Sequence, residues 1–252
     1  LAEGGARLAR IDLAEGRSAS AVAVAERALS RIAPAGGGGE RVDPAVIARL
    51  ELARAEGLVD LPDRRDEGLA GLLRLVAEHP DDPVVAPALA LASSVSLGAG
   101  RSAEAIASAD RFLALPARQR GETAAAAATV TDVRAIRAEA LLALGDSSAA
   151  AEALGQIVST IGDDPRAAHL RLRWGAAQVA AEDWNGAHAT LGPLTGGAGE
   201  GLDGDDSPLG LLLDATALVE LARAKEATVL LDRLAHDHPQ WPRRSEGALL
   251  AV

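Results

Sequence analysis

Apolar residues between Val133 and Pro165 recur at intervals of three and four, which is the pattern of amphipathic helices. Ile136, Ala140, Leu141 and Leu142 share one helix face, while Arg134, Arg137 and Glu139 fall on the other. Gly145 ends this helix, because glycine enters the left-handed conformation of a helix stop at little cost. Asp146 or Ser147 can then accept hydrogen bonds from the first free amides of a second helix. The second stripe is Ala150, Leu154, Ile157, Val158 and Ile161, closed by Gly162 and Pro165. A link this short folds the two helices antiparallel into a hairpin.

The same spacing recurs along the chain. Near the start stand Gly16, Ala21, the pair Ala28 and Leu29, and Pro34, with Leu8 and Ala9 upstream. Gly68, Leu75, Val76 and Pro80 repeat it behind a helix over about 44–57 and an extra 58–63 segment. Gly100, Ala105, Phe112, Leu113 and Pro116 form a third copy, with Pro87 in the first turn of its opening helix. The opening stretch is the fourth. Trp174, Gly175, Ala187 and Leu194 mark a fifth, and Ala227, Leu234, Ala235 and Pro239 a sixth. The small residues expected at the helix crossings are Ala21, Gly68, Ala105, Ala150, Ala187 and Ala227, spaced roughly 37 to 47 residues apart.

This arrangement resembles the tetratricopeptide repeat, in a degenerate form that carries insertions. The resemblance implies an all-α fold, a right-handed superhelical α-solenoid of about six antiparallel hairpins in one domain over residues 1–252. The approximate units are 1–34, 44–80, 83–116, 122–165, 166–194 and 207–239, followed by the start of a capping or further helix at 242–252. It also implies a concave groove lined by the first helix of each pair. Carrying the family's groove positions over, unit by unit, gives Arg10, Glu51, Ser94, Asp132, Glu139, His169 and Thr216 as binding residues, with Glu3 beside them and Ala6, Ala135, Ala176 and Val179 between. The likeness does not extend to members that clamp acidic chaperone tails with asparagines and lysines. Here Asn185 and Lys225 are the only residues of those types, and neither lies on a first helix.

Composition narrows the function. A formal charge of −11 argues against nucleic acid and anionic membrane as partners. No apolar run reaches spanning length, and no secretory signal is visible. The compartment stays open between cytoplasm and periplasm, since a chain without cysteine has no thiol or disulfide chemistry to place it. With only Phe112 and three tryptophans as aromatics, the core has to be built from alanine, leucine, valine and isoleucine. The chain begins at Leu1, already inside a repeat, which reads as a piece of a longer protein.

No metal, cofactor or catalytic site is expected. The glycine-rich segments 35–43 and 195–207 read as linkers, and Asp203, Asp205 and Asp206 as part of a solvated loop whose spacing fits no helix-loop-helix calcium site. His236 and His238, two apart, do not share a helix face. His79 precedes Pro80 as His238 precedes Pro239, which favours a structural role for these histidines; His169 and His188 stand alone on helices. Phosphate loops, serine elbows and paired-histidine zinc motifs are missing.

The leading expectation is a non-catalytic adaptor that binds a protein or peptide partner. The alternative is a regulatory or docking segment of a larger enzyme or envelope-export protein. Self-association through the solenoid ends is a third reading. The register itself is testable: Ala150→Arg places a long charged side chain at a helix crossing and should lower stability by about 1–3 kcal/mol or more. Thermal unfolding identical to that of the parent would show the register to be wrong.

Overall fold

The computed structural model describes residues 1–32, 42–121, 123–162, 164, 166–196, 202, 204 and 206–243. Among these residues the regular structure is entirely helical. The order is α1 (Ala2–Ala14), α2 (Ser18–Ser30), α3 (Pro44–Val59), a 3-10 turn (Pro62–Arg64), α4 (Arg65–Glu78), α5 (Val85–Gly98) and α6 (Ser102–Ala114). It continues with α7 (Ala117–Arg120), α8 (Ala124–Ala143), α9 (Ser147–Ile161), α10 (Ala167–Ala180), α11 (Trp184–Thr195), α12 (Asp206–Glu220) and α13 (Ala224–Asp237). Pro34, Pro165, Asp203, Asp205, most of the 35–43 linker and the greater part of the segment expected as a closing helix lie outside the described residues.

The chain divides into two compact units, Leu1–Ala140 and Leu141–Val252. In the first, each of α1 to α6 packs on the next, and the opening helices of successive hairpins also touch, α1 with α3 and α3 with α5. In the second, α9 to α13 pack in sequence, with α10 against α12. Each unit is therefore a stack of hairpins joined opening helix to opening helix, an all-α solenoid-like arrangement.

One turn geometry ends five of the opening helices. Gly16, Gly100 and Gly145 have φ of 71°, 72° and 86°, and the amide of the following residue donates back into the helix, as from Arg17 to the Asp12 carbonyl (2.8 Å) and from Asp146 to that of Leu141 (3.0 Å). Glu182 and Ala222 adopt the same conformation without being glycine, at φ 61° and 57°. Asp146 and Asp183 then cap α9 and α11 through the amides of Ala149 (3.3 Å) and Gly186 (3.0 Å). The second hairpin lacks this turn: α3 runs on to Val59, and the 3-10 turn precedes α4.

Where paired helices cross, side chains shrink to allow close approach. Ala21, Ala105, Ala150 and Ala187 are 0% exposed and Ala227 is 2% exposed. At Gly68 a Cβ would lie 2.7 Å from the Val59 backbone nitrogen, so even a methyl group is excluded. At Gly175 a Cβ would lie 2.4 Å from Leu191 Cγ, and Gly155 lies under the Trp174 ring. Around these crossings, Leu72, Leu75, Leu89 and Phe112 centre the largest core cluster of the first unit, which reaches α8 at Val133. Leu211, Leu218, Leu231 and Leu234 form the corresponding cluster between α12 and α13.

Since the left-handed conformation costs a residue with a Cβ about 1–2 kcal/mol, Ala222→Gly and Glu182→Gly should each stabilise the protein by about 0.5–1 kcal/mol once the added freedom of the unfolded glycine is subtracted. Gly145→Ala should destabilise it by about 1 kcal/mol. Urea unfolding of the three variants checks both signs.

Candidate functional site

The opening helices of the first unit border a cleft of about 820 Å³. α1 contributes Glu3, Ala6, Arg7, Arg10 and Ile11, residues spaced so that one helix face carries them all. α3 adds Arg49 and Leu52, three apart, and the chain entering α5 adds Pro83, Val84 and Pro87. The cleft is thus apolar along its floor and carries three arginines against Glu3 and Asp82, in a chain whose formal charge is −11.

The arginines are held differently. Arg7 pairs with Glu3 one turn away (3.4 Å), and Arg10 donates from Nη1 to Glu56 Oε2 across to α3 (3.0 Å). Burial pushes the Glu56 carboxyl up from its ordinary range, and the Arg10 charge offsets part of that rise. Arg49 donates only to the Ala45 carbonyl (3.1 Å) and has no carboxylate partner among the described residues. Ile11 on the same face is 51% exposed.

Of the residues expected in a groove, Arg10 lines this cleft, together with Glu3 and Ala6. Glu51 lies on another face of α3, at a smaller depression of about 250 Å³ with Glu26, Arg54 and Arg74. Ser94 is exposed on α5 and lines neither. On α8, Asp132 is exposed and Glu139 half-buried. In the second unit, His169 meets Asp206 through Nδ1 (2.7 Å) and accepts from Arg173 at Nε2 (2.7 Å). Thr216 donates its hydroxyl to the Leu212 carbonyl of its own helix (2.8 Å). Arg49 and Leu52 were not expected. Counting back across the extra segment as though α3 stopped at Gly57 shifts the register, and each residue of shift turns a side chain by about 100°.

His188, which looks solitary in the sequence, belongs to a buried network. Its Nδ1 meets Asp214 Oδ1 (2.7 Å), and Thr195 donates its hydroxyl to Asp214 Oδ2 (2.6 Å). A hydroxyl, an imidazole and a carboxylate suggest a nucleophilic triad, but the order is wrong. Such a triad needs the hydroxyl on the imidazole, whereas here both groups bond the same carboxylate. The network joins α11 to α12 around an aspartate that is 1% exposed. Asp12 plays a similar part on α1, accepting from Ser20 (2.7 Å) and Arg17 (3.0 Å).

The histidines before proline are equivalent in structure. His79 ends α4 and His238 ends α13 with nearly identical backbone angles, φ −128° and ψ 55° against −125° and 56°. His238 faces the Ser207 hydroxyl at 3.5 Å, and His79 faces Glu51 at 3.5 Å. Among the described residues, His236 and His238 belong to no group of three metal-ligating side chains, and no helix is long and apolar enough to cross a membrane.

No family model and no curated protein matches the sequence. Solved structures do match. PilW, a widely conserved type IV pilus biogenesis factor, is 17% identical with a TM-score of 0.64 over 97% of both chains. The apo form of RapI is 10% identical with a TM-score of 0.65, over 99% of this chain and 80% of its own. Both are built of tetratricopeptide repeats. With the hairpin stacking, the shared turn and the small residues at each crossing, the likeness establishes that this chain has the tetratricopeptide-repeat fold.

Proposed function

We propose that the chain is a non-catalytic interaction module, an adaptor or scaffold that holds a short segment of a protein partner in the cleft bordered by α1, α3 and α5. The observation that carries this reading is the cleft itself: an open apolar floor on three successive opening helices, rimmed by arginines in an otherwise acidic protein. Helices packed about 8–10 Å apart make three of them about 20 Å wide, the reach of roughly six residues of extended chain. Apolar anchors would settle against Leu52, Val84 and Pro87. Carboxylates would meet Arg49, whose guanidinium has no carboxylate partner among the described residues, and Arg10 and Arg7 beside it.

The preferred partner is therefore a segment alternating acidic and apolar residues. The remaining residues expected to bind, Glu51, Ser94, Asp132, Glu139, His169 and Thr216, lie outside this cleft and are proposed only as surface that a longer partner could reach. PilW, of like fold, serves in pilus biogenesis, and an adaptor role here is in keeping with that.

Selection of displayed 12-residue peptides on the full chain, followed by fluorescence anisotropy, tests the reading. Acidic peptides with two or more large apolar residues should be enriched. Arg49→Glu, which breaks no ion pair among the described residues, should weaken them about tenfold or more. Equal affinity for that variant, or hydrogen-exchange protection by the peptide outside α1, α3 and α5, would overturn it.

A further inference from the structure

Glu51, Glu78 and His79 come together from two helices. α3 presents Glu51 from its middle, and the end of α4 presents Glu78 and His79. One donor atom from each lies within 4.8 Å of the other two. His79 Nε2 is 3.5 Å from Glu51 Oε2. A tetrahedral ion with metal–ligand bonds of about 2.0–2.1 Å separates its donors by about 3.4 Å, so this pair already stands at the edge of a zinc-sized coordination sphere.

We propose that these three residues form a binding site for a divalent transition metal of the zinc type. The site takes one imidazole nitrogen and two carboxylate oxygens from the protein and leaves a fourth position for water. Such a nitrogen-containing set suits zinc and disfavours calcium and magnesium, which take oxygen ligands in larger number.

Three further features support the assignment. The donors are free to serve: among the described residues Glu78 has no hydrogen bond or ion pair, and Glu51 has only the long contact with His79. His79 is anchored, its backbone amide donating to the Leu75 carbonyl (2.9 Å) and its carbonyl accepting from Asp82 (3.1 Å), with the side chain 23% exposed. His238 supplies the contrast: the same backbone position faces a single hydroxyl there and two carboxylates here. Arg74, whose charge reaches Glu51, works against a cation and limits its affinity.

The ion would tie α3 to the end of α4 in the hairpin that lacks the tight glycine turn, joining the pair by coordination. It acts independently of the cleft proposed for the partner.

Isothermal titration of the full chain with zinc chloride, paired with thermal unfolding, tests the site. One equivalent should bind and raise the melting temperature. His79→Gln and Glu51→Gln, with unchanged helical circular dichroism, should each lose about tenfold or more in affinity. Arg74→Ala should bind zinc more tightly than the parent, an effect that loss of folding cannot imitate. His236→Ala should bind as the parent does. Absence of zinc binding by the parent, or zinc binding of unchanged affinity by His79→Gln, would overturn the proposal.

Discussion

The structure depends on close contact between helix backbones at positions that tolerate almost no side chain. Ala21, Ala105, Ala150 and Ala187 have no exposed surface, and at Gly68 the neighbouring helix excludes even a methyl group. An alanine-rich chain with few aromatics cannot gain much buried area from any one residue, so it relies on many short contacts at small interaxial distance. The leucines around each crossing fill the space between helices that the small residues bring together.

Stacking follows from that contact. A hairpin closed at its crossing still has an apolar face on its opening helix, and packing α1 on α3 and α3 on α5 covers it. The opening helices then also share a flank, where Arg7, Arg10 and Arg49 gather around an apolar floor. The cleft is therefore a product of hairpin spacing rather than of any motif.

Polar networks take over where small residues and apolar stripes leave a gap. Asp214 carries His188 and Thr195 between α11 and α12, and Asp12 gathers Ser20 and Arg17 at the first turn. A buried carboxylate is costly unless its lone pairs are met, and both are met from the adjoining helix or turn. This use of aspartate and histidine as struts explains why groups that resemble catalytic apparatus do not have its order.

What the sequence determined by itself is local: helices from the three- and four-residue period, their stops at Gly16, Gly100 and Gly145, the cap at Asp146, and the small residues at the crossings. Each of these is set by neighbours within a turn or two of the chain, and the likeness to tetratricopeptide repeats rested on them. Only the tertiary structure decided which helix faces meet solvent together. Arg49 rather than Glu51 joins Arg10 because residues two apart on a helix point about 200° from each other, and the packing of α3 on α1 selects which of the two faces the cleft. The meeting of His188 with Asp214, and of Glu51 with His79, likewise joins residues 26 and 28 positions apart, a pairing set by how hairpins stack, which no local period encodes.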